Sequence, residues 1–98
     1  MEPNELQRAI EAILFAAGER VEISRLCMAL ETDEDEVIAA ADALAGQFAF
    51  ERRGVRILRL DNGYQMVSSG EMADFVTKAL ETRKPPKLSA SQLETLTI

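Results

Sequence analysis

The densest chemistry in the sequence is a run of four carboxylates, Asp33-Glu34-Asp35-Glu36. Acid–base pairs and metal sites need carboxylate oxygens that converge on one point. Consecutive residues on a helix fan out by about 100° each, so these four diverge. Their expected role is to place negative charge at the positive end of a helix dipole. Histidine is absent, which removes the commonest general base near neutral pH and the commonest metal ligand. The one cysteine, Cys27, cannot form a disulfide within the chain, and its place on an apolar helical face reads as a buried structural thiol. Gly18, Gly46, Gly54, Gly63 and Gly70 are scattered singly, so no glycine-rich phosphate loop forms. No catalytic constellation emerges, and no metal or other cofactor is expected.

Positive charge offers the other possible chemistry. Arg52, Arg53, Arg56 and Arg59 cluster in one stretch, and Arg83, Lys84 and Lys87 in another. Such clusters can contact a phosphate backbone, or they can form solvated ion pairs on a protein face. The whole chain has 17 acidic and 11 basic residues, a net charge of -6, and that field repels phosphate backbones and anionic membrane surfaces. Nucleic-acid contact, if made, has to be local to those four arginines.

The elements that carry these residues follow from periodicity. A first helix is predicted from an N-cap at Asn4 through Leu6, Ile10, Ile13, Leu14 and Ala17, with Gly18 as its stop. A second carries Ile23, Leu26, Cys27 and Leu30 on one face. Thr32 reads as the N-cap of a third, whose buried stripe is Val37, Ile38, Ala41, Leu44, Ala45 and Phe48. From Gly54 the period falls to two: residues 55–60 and 64–68 read as strands, with Asn62-Gly63 as the centre of a type I′ hairpin turn. A fourth amphipathic helix over 71–80 carries Met72, Phe75, Val76, Ala79 and Leu80. The expected fold is α+β and mostly helical: a winged helix-turn-helix with a three-helix core, a two-stranded wing and a C-terminal helix.

Size and composition agree with one small domain. A chain of 98 residues, 47% apolar and 29% charged, is globular rather than disordered, and buries roughly 60 to 65% of its unfolded surface. Aromatics are only 5%, so the core must be aliphatic. No positively charged segment followed by an apolar stretch opens the chain, and no apolar run approaches the roughly 20 residues of a membrane span. A cytoplasmic location without membrane contact is expected. The domain is predicted over 1–81, with a stiff basic linker at 82–88 that contains Pro85-Pro86. At 89–98, a capping box at Ser89-Ala90-Ser91-Gln92 opens an apolar pattern of Leu93, Leu96 and Ile98. That pattern reads as the truncated start of a second winged-helix domain.

Phe15 stands apart from this scheme. At 100° per residue it points away from the middle of the first helix's apolar stripe, so it packs under a neighbouring element or anchors an interface. Ala12, one turn before it, and Glu19, one turn after, complete a candidate surface for a symmetric homodimer.

The sequence resembles the N-terminal half of bacterial segregation and condensation protein B. The resemblance rests on EAILFAAGERV at 11–21, DNGYQMVSS at 61–69 and LSASQLETLTI at 88–98, and the middle helix matches only in pattern. It implies two tandem winged-helix domains, dimerisation largely through the first, and binding to a kleisin, segregation and condensation protein A. Through the kleisin it implies a non-catalytic accessory role beside the SMC ATPase, in a condensin-like complex that compacts and segregates chromosomes. The rival reading is a winged-helix transcription regulator. Such a protein normally leads into the major groove with the N-terminal end of its third helix, and here that end carries Asp33 to Glu36.

Overall fold

In a computed structural model, which describes residues 2–81, the order is α1 (Pro3–Ala17), β1 (Val21–Glu22), α2 (Ile23–Leu30), α3 (Glu34–Phe50), β2 (Val55–Leu60), β3 (Gly63–Ser68), a 3-10 turn (Gly70–Met72) and α4 (Ala73–Glu81). The linker at 82–88 and the second-domain start at 89–98 lie outside the described residues.

The first three helices assemble as their spacing predicts. Leu6, Ile10 and Leu14 of α1, Leu26 of α2, and Val37, Ala41, Leu44 and Phe48 of α3 are buried together. Aliphatic side chains at helical spacing form one contiguous stripe per helix, and removing three such stripes from water drives the assembly. Two helix starts differ from expectation. α1 begins on Pro3, whose fixed φ and missing N–H suit the first helical position; the preceding Glu2 makes no side-chain cap, and Asn4 lies inside the helix. α3 is capped by Asp33, whose carboxylate accepts from the Glu36 backbone N–H at 2.9 Å. Thr32 donates instead to the Glu36 carboxylate. Gly18 ends α1 in the left-handed region, at φ 67°, and its N–H donates to the Leu14 carbonyl at 3.3 Å.

The sheet has one strand more than expected. β1, only two residues long, pairs antiparallel with β3, giving the order β1-β3-β2. The hairpin is also shifted by one residue. Leu60 faces Gly63, so the loop is Asp61-Asn62, and Gly63 already belongs to β3. Asp61 alone of the two loop residues has positive φ, 54°, whereas a type I′ turn needs both. The reason is tertiary. A Cβ on Gly63 would lie 2.7 Å from the Val21 carbonyl oxygen, so the glycine serves the close approach of β1 rather than the turn.

Tyr64 and Ile57 turn from the sheet into the core. The Tyr64 hydroxyl donates to Asp42 of α3 at 2.8 Å, and Arg59 reaches the same carboxylate at 3.9 Å. The wing is thereby tied to the third helix by a polar contact at the edge of an apolar core.

Candidate interaction surface

Each wing arginine has a partner within the chain. Arg52, itself at a positive φ of 54°, pairs with Glu71 at 3.6 Å. Arg53 pairs with Glu51 at 3.1 Å and lies 4.9 Å from the Phe48 ring centroid. Arg56 donates to the Arg53 and Val55 carbonyls. Arg59, besides Asp42, stands 5.9 Å from the Tyr64 ring. These are exposed contacts of small individual worth, and they engage the four side chains with separate partners within the domain.

At the other end of α3, Asp33, Glu34, Asp35 and Glu36 are all exposed. Two already serve the helix start, as cap and as acceptor from Thr32. Cys27 is half-buried, and burial, then the negative charge of Glu34 and Asp33, raises its pKa. The thiol is therefore held protonated and weakly nucleophilic. Among the described residues no group of three His, Cys, Asp or Glu side chains could hold a metal ion. No described helix is long and apolar enough to cross a membrane.

What the surface does offer is apolar. Phe15 is 77% exposed, and Phe50, Met28 and Phe75 are 88%, 79% and 66% exposed. Phe15 does not stand alone: it and Ala12 border a hollow of about 410 Å³ lined by Phe48, Val55 and Met66, with Arg8, Glu11 and Arg53 as its charged residues. α1 supplies one side of it, and the end of α3 and the base of the wing supply the rest. The structure thus brings Ala12 and Phe15 together with residues that sequence spacing did not connect, since Val55 and Met66 reach the hollow only through β2–β3 pairing. Glu19 is not brought to it. The helix ends at Ala17, the left-handed Gly18 turns the chain, and Glu19 lines a separate polar hollow with Arg20 and Arg25. Expecting Glu19 to continue the Phe15 face assumed one more helical turn than α1 possesses.

A second exposed apolar surface lies on α4. None of its residues is buried, and Phe75 and Leu80 are exposed beside Met72 of the preceding 3-10 turn. Its amphipathic pattern was visible in the sequence; that the domain leaves this face largely exposed was not.

A three-helix core with a β-hairpin wing, an acidic third-helix start and apolar rather than basic open surfaces defines a winged-helix domain suited to protein contacts. Comparison with known proteins narrows this. The chain belongs to the family of the segregation and condensation complex subunit ScpB, whose model matches residues 8–98. It is similar to segregation and condensation protein B of Lachnoclostridium phytofermentans, 35% identical over all of this chain and 52% of that protein. The Halalkalibacterium halodurans protein of the same name is 38% identical over 96% of this chain and 48% of its own length. The chain therefore spans about half the length of the curated relatives it matches. Among solved structures, Mycobacterium tuberculosis ScpB superposes with a TM-score of 0.83 at 25% identity, over 91% of this chain and 56% of that one. A dimer of the ScpB N-terminal domain complexed with ScpA peptide matches with a TM-score of 0.73 at 27% identity, over 78% of this chain and 95% of that one.

Proposed function

We propose that this chain is the self-associating first winged-helix domain of an accessory subunit in a bacterial SMC–kleisin complex. In that role it acts in chromosome condensation and segregation and binds a segment of the kleisin, segregation and condensation protein A, which links it to the SMC ATPase. One observation carries the reading: the solved ScpB N-terminal domain that this fold matches over 95% of its length is a dimer holding an ScpA peptide. The chemistry agrees. The exposed apolar side chains Phe15, Phe50, Met28 and Phe75 support a non-catalytic subunit that works by contact with its chromosomal partners in the cytoplasm.

Ala12 and Phe15 are the centre of the proposed self-association surface, because a large exposed aromatic beside an apolar hollow is the usual form of an interface anchor. Glu19 belongs at most to its edge. A transcription regulator is the weaker reading, since the acidic start of α3 opposes the counterion release that drives DNA binding.

The test is light scattering across a concentration series, followed by calorimetric titration with the ScpA peptide of the same bacterium. A mass near twice 10.8 kDa and saturable peptide binding are expected. A monomer that ignores the peptide at every concentration would overturn the reading.

A further inference from the structure

We infer that two copies of this chain pair α1 against α1 in antiparallel register, so that Arg8 of each copy meets Glu11 of the other and Phe15 of each packs across the partner's first helix. The inference rests on the self-association reading above and adds the contact that fixes its geometry.

α1 has two faces. Leu6, Ile10 and Leu14 form the buried one. At 100° per residue, Asn4, Arg8, Glu11 and Phe15 fall within about 60° of one another, roughly 130° around the helix from that stripe. Along the axis this outer face reads polar, positive, negative, aromatic. The hollow beside Phe15 continues along it. A second hollow of about 490 Å³ lies toward the start of α1, lined by Asn4, Gln7, Leu44 and Gln47, and both hollows are lined by Arg8, Glu11, Phe48 and Arg53. Together they make one trough between α1 and the end of α3, with Arg8 and Glu11 common to its two halves.

These two charges are unmet within the chain. Arg8 is exposed and Glu11 half-buried. Neither takes part in an ion pair or a side-chain hydrogen bond among the described residues. They stand three positions apart on one helix, yet they do not pair with each other. Arg53, the third charge of the trough, is already held by Glu51 and by the Phe48 ring. What is left is one free cation and one free anion beside Phe15, which is 77% exposed.

Such a face is complementary to itself. A second copy laid antiparallel about a twofold axis presents the same two charges in reverse order, so both Arg8–Glu11 pairs form at once. A parallel copy would set like charge on like. An unrelated partner would need that charge order in its own sequence, whereas a second copy has it by symmetry. The same register places the aromatic rings. Phe15 lies four residues beyond Glu11, and Asn4 four before Arg8, so each Phe15 falls opposite the partner's Asn4. There the second hollow opens, with Leu44 and Phe48 as its apolar lining. Burial of the two rings provides the affinity, and the exposed ion pairs fix the orientation.

Charge reversal, read by light scattering across a concentration series, tests this directly. Arg8→Glu and Glu11→Arg are each expected to raise the dimer dissociation constant by roughly 10-fold or more, because each sets like charges opposite one another twice. Mixed in equal amounts, the two variants should regain the tight dimer, since one chain then carries two anions and the other two cations at matching positions. A chain carrying both changes should dimerise like the unsubstituted one. Phe15→Ala is expected to weaken the dimer by roughly 30-fold or more, the loss typical of an interface anchor. Thermal melting of each variant should match the unsubstituted chain, which separates a lost contact from a lost fold. If the unsubstituted chain is dimeric and both charge variants are equally so, the register is wrong and the dimer stands on another surface. If the folded variants are weakened but neither the mixture nor the doubly changed chain recovers, the two charges do not pair between copies and the inference fails. A chain that stays monomeric at every concentration overturns the register and the self-association reading together.

Discussion

A methyl group added to Gly63 would stand 2.7 Å from the Val21 carbonyl and about as close to the Arg20 side chain. Backbone cannot yield as a flexible side chain does, so Gly63→Ala should destabilise the domain by about 1 to 3 kcal/mol through overpacking. Gly46 is the contrast: it lies in α3 with nothing within 4 Å of its would-be Cβ. Gly46→Ala should stabilise by about 0.5 to 1 kcal/mol, because alanine loses less conformational freedom on entering a helix. Urea unfolding of the two variants would give shifts of opposite sign. Tyr64 yields a pH prediction. Burial first, then its hydrogen bond to Asp42 and that residue's charge, push the phenol up to about 12 from an ordinary value of 10. A folded-state pKa above the unfolded one means that the contribution is complete below pH 10 and is lost as pH rises through about 12. The unfolding midpoint should therefore fall steeply across that window. Tyr64→Phe should flatten the fall while costing about 1 kcal/mol at neutral pH, the net worth of a hydrogen bond.

At the scale of elements, the carboxylates of α3 are a means of starting a helix. Asp33 caps the Glu36 N–H, whereas Thr32 holds only an exposed side chain. Asp33→Ala should cost about 1 kcal/mol and Thr32→Ala a few tenths at most, read from thermal unfolding. The three core helices were legible because their apolar spacing and their burial coincide, as Leu6, Ile10 and Leu14 illustrate. β1 was not. Two residues, Val21 and Glu22, carry no period, and they become a strand only by pairing with Tyr64 and Gly63 some forty positions away. The hairpin was legible to within one residue: Asn-Gly signals a turn locally, but the demand of Val21 on Gly63 is non-local and draws that glycine into β3. Phe15 could be singled out because it breaks the stripe of its own helix. The hollow beside it could not, since Val55 and Met66 are brought there by strand pairing, and Glu19 was grouped with Phe15 only by extending a helix that Gly18 ends.

For the molecule as a whole, charge decides between the two uses to which a winged helix is put. Binding to duplex DNA draws its affinity mainly from counterions released when arginine and lysine meet phosphate. This chain has a net charge of -6, its third helix leads with exposed carboxylates, and its four wing arginines are engaged with Glu71, Glu51, Asp42 and backbone carbonyls. Freeing an arginine from an exposed pair costs little, at most about 1 kcal/mol, so the pairs alone would not prevent DNA contact. The decisive effect is the field, which acts before any contact forms and is opposed in sign to that of a DNA-binding domain. Titration with duplex DNA at physiological salt should give no saturable binding tighter than roughly 10⁻⁴ M, the weak limit of non-specific association. Replacing Arg56 and Arg59 with glutamine should leave that result unchanged. Saturable binding in the micromolar range, weakening steeply between about 50 and 200 mM salt and abolished by those substitutions, would instead make the wing a phosphate-binding element. The charge balance of the whole chain would then count for less than the local geometry of its hairpin.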